Sequence, residues 1–144
     1  MMAASILLLA GLGLSALVAA HIYYHPIAAP LRDAGLQLNE ITPEDSLIAA
    51  ADNGDPTLLY YGQRKGWHCL EQGGVYYGDP EGAEPVIADL QQLREKGAKY
   101  VVFTSNTAWW LDLFPEFRQY LHANSALIAA TAEFSIYRFD PISK

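Results

Sequence analysis

Two short polar stretches hold the residues whose types suit chemistry. The first is Asp52-Asn53-Gly54-Asp55, closely followed by Arg64, Trp67 and His68; the second is Ser105-Asn106-Thr107. Carboxylates and amides exchange hydrogen bonds with hydroxyl groups, and an indole offers a flat apolar face to ring C–H groups. Asp52, Asn53, Asp55, Arg64, Trp67, His68 and Asn106 are therefore the candidate ligand-binding set, and the chemistry they suggest is sugar recognition. A plainer role competes at each position. Asp55 suits the N-cap of a helix starting at Pro56, Asn53-Gly54 suits a turn with positive φ, and the tryptophans suit core packing. Acid–base catalysis by Asp52 and Asp55 would need surroundings that push their pKa values apart. No catalytic residue is assigned. There is no Gly-x-Ser-x-Gly and no His-Glu-x-x-His, and His21, His25, His68 and His122 are scattered. The single cysteine, Cys69, allows neither an internal disulfide nor a cysteine zinc site and reads as a small buried hydrophobe. Neither a metal nor a cofactor is expected.

The elements that must position these residues are legible as alternating strands and helices. Leu31, Ala34, Leu38 and Ile41 recur at spacings of three and four, which predicts an amphipathic helix over residues 28–41. Ser46–Ala51 reads as a buried strand. Asp55-Pro56 opens a short helix that Gly62 closes as a left-handed cap. Trp67–Leu70 reads as a second strand and Gln72–Gly82 as a loop. Pro85 begins a helix lined by Val86, Leu90 and Leu93 and capped by Gly97. Tyr100–Thr104 is a third buried strand. Pro115 starts a further helix, and Ala132–Phe139 is a terminal strand, paired with a short one at Leu127–Ala130. Such alternation implies an α/β domain with a mostly parallel sheet and helices on both faces, a small three-layer arrangement. In open α/β sheets ligands bind beyond the carboxyl ends of the strands. If the first and third strands are neighbours, Asp52, Asn53, Asp55 and Asn106 gather at one edge, with Arg64, Trp67 and His68 near it.

Composition divides the 144 residues in two. No Asp, Glu, Lys or Arg precedes Arg32, whereas the whole chain carries a formal charge of −7. That balance excludes a typical nucleic-acid binder, which needs a cationic footprint. Residues 3–20 are apolar or small throughout, and about 20 such residues span a hydrocarbon core of about 30 Å. Tyr23-Tyr24 suits the headgroup interface. Residues 1–25 are therefore expected to be a transmembrane anchor and residues 26–144 a separate α/β domain, whose side of the membrane the residues leave open because neither flank is rich in Lys or Arg. A cleaved signal peptide ending near Val18-Ala19-Ala20 is the rival, although no Lys or Arg precedes the apolar run.

Several segments carry a resemblance: the apolar span ending in HIYYHP, then ADNGDPTLLYYGQRKGWH, LREKGAKYVVFT, AWWLDLFPEFRQYL and EFSIYRF. Together they resemble the C-terminal end of bacterial polytopic glycosyltransferases of the protein-mannosyltransferase and aminoarabinose-transferase type. That family moves a sugar from a polyprenyl-phosphate carrier, and many members carry a small extracytoplasmic α/β domain after the last transmembrane helix. The family's catalytic carboxylates lie in an early extracytoplasmic loop that has no counterpart here, so no catalytic residue transfers. The resemblance implies a single-pass protein of the inner (plasma) membrane, with residues 26–144 as an extracytoplasmic domain acting as an accessory or binding module. Its implied partners are the membrane, a polytopic glycosyltransferase or a polyprenyl-phosphate sugar. The alternatives are a small sugar-active enzyme using Asp52 or Asp55, and an inactive fragment of a larger glycosyltransferase.

Overall fold

The computed structural model describes residues 2–141, with the side chains of residues 2–4 and 24–27 outside the description. The elements in chain order are α1 (Met2–Ile41), β1 (Leu47–Ala51), α2 (Thr57–Gly62), β2 (Lys65–His68), β3 (Glu71–Gln72), β4 (Val75–Tyr76), α3 (Ala83–Glu95), β5 (Ala98–Thr104), α4 (Trp109–Leu113), α5 (Pro115–Asn124), β6 (Ser125–Ala130) and β7 (Phe134–Phe139). The fold is α/β with an apolar N-terminal helix. Its five-stranded sheet has the order β2-β1-β5-β7-β6, parallel through β2, β1 and β5 and antiparallel from β5 through β7 to β6.

Helix α1 corrects one expectation. The chain does not break at His25-Pro26; a single 40-residue helix carries both the apolar stretch and the amphipathic one. Ser5–Tyr23 has a mean hydropathy of 2.1 and no buried residues. It is long and apolar enough to cross a membrane, a property that a signal sequence shares. Of the expected interfacial tyrosine pair only the side chain of Tyr23 is described, and it is exposed. The last turns of the same helix are core: Leu31, Ala34 and Leu38 are fully buried.

Alternation along the strands sorts the interior into two clusters. Ile48, Ala50, Tyr100, Val102, Phe134 and Ile136 meet Leu31, Ala34 and Leu38 of α1 and Leu58 of α2. Ala49, Ala51, Val101, Phe103, Tyr137 and Phe139 meet Val86, Leu90 and Leu93 of α3, Trp110 of α4, and Phe117 and Leu121 of α5. Trp110 is fully buried with its ring edge-on to Phe103, and Trp109 packs beside it, so both belong to the core.

Two details fix how α1 sits on the sheet. The first is a close crossing of α1 and α2. A Cβ on Gly35 would lie 2.6 Å from the Leu58 carbonyl oxygen and 2.9 Å from the Gly62 nitrogen. Gly62 lies against α1, where its own Cβ would come 3.2 Å from Leu38 Cδ2, and the left-handed cap expected there falls one residue later, on Gln63 (φ 49°, ψ 38°). The second is Arg64, which is buried. Its guanidinium donates to the carbonyls of Asn39 (3.0 Å) and Thr42 (2.6 Å) at the end of α1 and of Gly62 (3.1 Å) at the end of α2. It satisfies carbonyls that a helix terminus leaves open.

Elsewhere, the loop expected over Gln72–Gly82 begins with a two-residue-per-strand hairpin, β3–β4, turned by Gly73 and Gly74 at positive φ. The β2 strand starts two residues earlier than expected, at Lys65.

The Gly35 crossing predicts a reversed helix-propensity effect. Gly→Ala in an ordinary helix gains about 1 kcal/mol. Gly35→Ala is expected instead to lose about 1–3 kcal/mol through overpacking. Gly11→Ala, whose Cβ meets nothing within 4 Å, should lose nothing. Denaturant midpoints of the two variants in one detergent check this.

Candidate functional site

Strand β1 sends its chain to β2 on one side through α2, while its neighbour β5 sends its chain the other way, through α4 and α5, to β6 at the far edge. The loops after β1 and β5 therefore depart in opposite directions and leave a crevice between their carboxyl ends. A concavity of about 420 Å³ lies there, lined by Leu31, Asp52, Asn53, Asp55 and Asn106. Each polar member is placed by a local device. Asn53 (φ 57°) and Gly54 (φ 76°) make the tight turn after β1. The Asp55 carboxylate accepts the Thr57 N–H at 2.8 Å and so opens α2. Asn106 is held by its neighbour: the Thr107 hydroxyl donates to the Ala51 carbonyl at 2.7 Å and accepts from the Thr104 N–H at 3.2 Å, which pins the turn after β5 onto the end of β1.

Asp52 is the buried centre, with its residue 2 % exposed. Its Oδ1 accepts from His68 Nδ1 at 2.7 Å and from the Gly54 N–H at 3.1 Å. Its Oδ2 has no partner among the described residues, and neither has the buried hydroxyl of Thr104. Following Ile48 and Ala50, and Tyr100 and Val102, both Asp52 and Thr104 fall on the α1 side of the sheet. Burial pushes the Asp52 carboxyl above its ordinary value, against the pull of the His68 hydrogen bond. That same bond pushes His68 above its ordinary value against partial burial. With Nδ1 turned to the carboxylate, Nε2 is the nitrogen left for acid–base exchange.

Tyr76, which the sequence pattern did not single out, supports the turn that carries Asn53. A Cβ on Gly54 would lie 2.9 Å from the Tyr76 Cβ, so the tyrosine lies directly against the turn. Its hydroxyl proton has two acceptors within reach, Asn53 Oδ1 at 3.3 Å and Asp79 Oδ1 at 3.4 Å. Burial and the Asp79 carboxylate push its pKa up to about 12.

Of the seven candidates, Asp52, Asn53, Asp55 and Asn106 share the crevice, and His68 adjoins it through Asp52. Trp67 packs at the edge of the α3-side cluster. Arg64 precedes β2 and stands at the opposite, amino end of the sheet, committed to the helix ends. Cys69 is buried and its thiol is pushed well up by burial, which keeps it inert. A larger concavity, about 640 Å³, lies at the amino end around Arg94, which bonds Tyr120, Asn124 and the Asp140 carbonyl and ties α3 to α5 and the chain end. Among the described residues no group of three or more His, Cys, Asp or Glu side chains is placed to hold a metal ion.

No protein-family model, curated protein or solved structure matches the chain.

The Asp52–His68 pair makes stability pH-dependent. A histidine raised above 6.5 in the fold adds stability that is complete below 6.5 and is lost as pH rises through its higher folded value. A carboxyl raised above 3.8 likewise makes the folded state less favourable as pH rises and it must ionise. Both terms have the same sign, so stability falls from mildly acidic to alkaline pH. Denaturant midpoints across that window should decline for the native chain and flatten above 6.5 in His68→Gln.

Proposed function

We propose that the chain is a single-span membrane protein whose small three-layer α/β domain, residues 26–144, lies on the extracytoplasmic face of the plasma membrane. Its crevice binds the sugar of a polyprenyl-phosphate carrier, and it serves a polytopic glycosyltransferase as an accessory module without carrying the transfer itself. The observation that supports this reading most is the direction of α1. Leu31 lines the crevice beyond β1, while Asn39 and Thr42 lie against Arg64 at the other end of the sheet. Helix α1 therefore runs antiparallel to β1, and the crevice is at the end of the sheet nearer to the apolar Ser5–Tyr23 segment. Eight residues separate Tyr23 from Leu31, about 12 Å along a helix. A headgroup that cannot leave the bilayer surface is within reach of a site so placed. Carboxylate and amide oxygens with an unpaired buried acceptor suit hydroxyl donors.

A second reading rests on the Asp52–His68 bond: a sugar-active enzyme in which Asp52 orients His68 as general base. It predicts turnover with a pH profile that His68→Gln abolishes.

Calorimetric titration of the full chain in detergent with a short-chain polyprenyl-phosphate sugar tests the preferred reading. The native chain should bind, and Asp52→Asn and Asn106→Ala should each weaken binding about five- to tenfold, one hydrogen bond's worth. Unchanged affinity in both variants, or no binding across a panel of lipid-linked sugars, would contradict it.

A further inference from the structure

A second depression adjoins the crevice on its membrane side. It has a volume of about 420 Å³ and lies between α1 and α2, lined by Ala20, Ala28, Ala29, Arg32, Thr57 and Tyr61 along with His21. Among the described residues its wall along α1 has the small side chains of Ala20, Ala28 and Ala29, together with His21 and Arg32. It is continuous with the apolar segment, since Ala20 belongs to Ser5–Tyr23. Crevice and groove share a border: Leu31 and Asp55 line one, Arg32 and Thr57 the other, and the Thr57 N–H bonds the Asp55 carboxylate.

The two depressions differ in charge. The crevice holds two carboxylates. The groove holds no carboxylate among its lining residues, but it has a guanidinium and the hydroxyls of Thr57 and Tyr61. Arg32 is the first charged residue of the chain. Asp33 Oδ1 takes its Nε at 2.9 Å and its Nη2 at 2.8 Å, in a solvent-exposed pair that stronger anions readily replace. Arg32 lies nine residues beyond Tyr23, about 13 Å along the helix. Helical side chains lean back toward the N-terminus, and arginine carries its charge to the interface on an apolar stem. The guanidinium is thereby brought back toward the headgroup layer, which is about 5–8 Å deep on each side of the hydrocarbon.

We propose that this groove seats the headgroup of a phosphate-bearing membrane lipid, with the phosphate against Arg32 and the Thr57 and Tyr61 hydroxyls and the first part of its chains along Ala28, Ala29 and Ala20. Guanidinium groups match phosphate oxygens in a bidentate fork. The proposal rests on reading Ser5–Tyr23 as a membrane anchor. It also gives the crevice a direction, because a lipid whose phosphate sits at Arg32 points whatever it carries toward Asp55 and Asp52.

The test uses the full chain. Carbonate extraction and intact mass come first: a carbonate-soluble protein, or one without its leader, overturns the anchor reading and this proposal together. For the anchored protein, native mass spectrometry in detergent measures retained phospholipid. Its displacement is followed with diacylglycerol of the same chains, with polyprenyl phosphate and with inorganic phosphate. Retention of one phosphate-bearing lipid is expected, with about tenfold weaker retention in Arg32→Gln. Arg32→Lys should restore part of the loss and Ala28→Leu should abolish retention by filling the groove. Thermal melts confirm that each variant is folded. Displacement by polyprenyl phosphate in preference to bilayer phospholipid would identify the carrier as the natural occupant and support the proposal. Equal displacement by diacylglycerol, displacement by inorganic phosphate, or full retention in folded Arg32→Gln and Ala28→Leu would each overturn it while leaving the anchor reading intact.

Discussion

The seat of α1 on the sheet is the constraint on which the remaining geometry depends. Gly35 and Gly62 bring α1 and α2 into backbone contact, and Arg64 draws the carbonyl ends of both helices onto the start of β2. Between these points Leu31, Ala34 and Leu38 fill the face made by Ile48, Ala50, Val102 and Ile136. A helix held at its crossing, its end and its apolar face cannot slide by a turn without exposing leucines and leaving the guanidinium unpaired, each a cost of a few kcal/mol on the usual scale. Since the same helix continues into Ser5–Tyr23, the orientation of the sheet relative to that segment is set by the domain's own packing.

That orientation places the polar crevice, the Asp52–His68 pair and the groove between α1 and α2 on one side of the domain, while Arg64 and Arg94 hold helix and chain ends together at the other. Charged residues of the two ends thus have different duties. At the amino end the buried Arg64 guanidinium is bonded to helix-end carbonyls, and the half-buried Arg94 bonds Tyr120, Asn124 and the Asp140 carbonyl and lies over the Phe139 ring, although its Nε has no partner among the described residues. Asp52 at the carboxyl end keeps an oxygen unpaired in a buried position. An unpaired buried acceptor costs about 1–3 kcal/mol, so it is retained more readily where something can bind to it.

What the sequence made legible was local. Leucines and alanines at spacings of three and four marked the packed part of α1, and the Asp55-Pro56 start of α2 and the turn at Asn53-Gly54 follow from short-range chemistry. The crevice was also anticipated, because only the adjacency of β1 and β5 had to be supplied. Other features depended on partners distant in sequence. Arg64 looked like a base beside a polar loop, yet its partners are 22 and 25 residues away on α1. The bond from His68 to Asp52 exists because β2 pairs with β1. Tyr76 lay in a stretch that read as irregular, since a hairpin of two residues per strand has too few positions to show alternation. Gly62 looked like a cap because glycine often is one, whereas here its missing side chain serves helix contact.

The direction of the sheet toward the bilayer is the claim most directly open to measurement. Spin labels on single cysteines at Asn53, beside the crevice, and at Glu44, exposed at the opposite end, would be compared in vesicles of the full chain with Cys69 replaced by alanine. Collision with a relaxing agent fixed to lipid headgroups should be strong at Asn53 and weak at Glu44. Equal collision at both sites, or stronger collision at Glu44, would contradict the account, because the crevice end of the sheet would then not face the membrane.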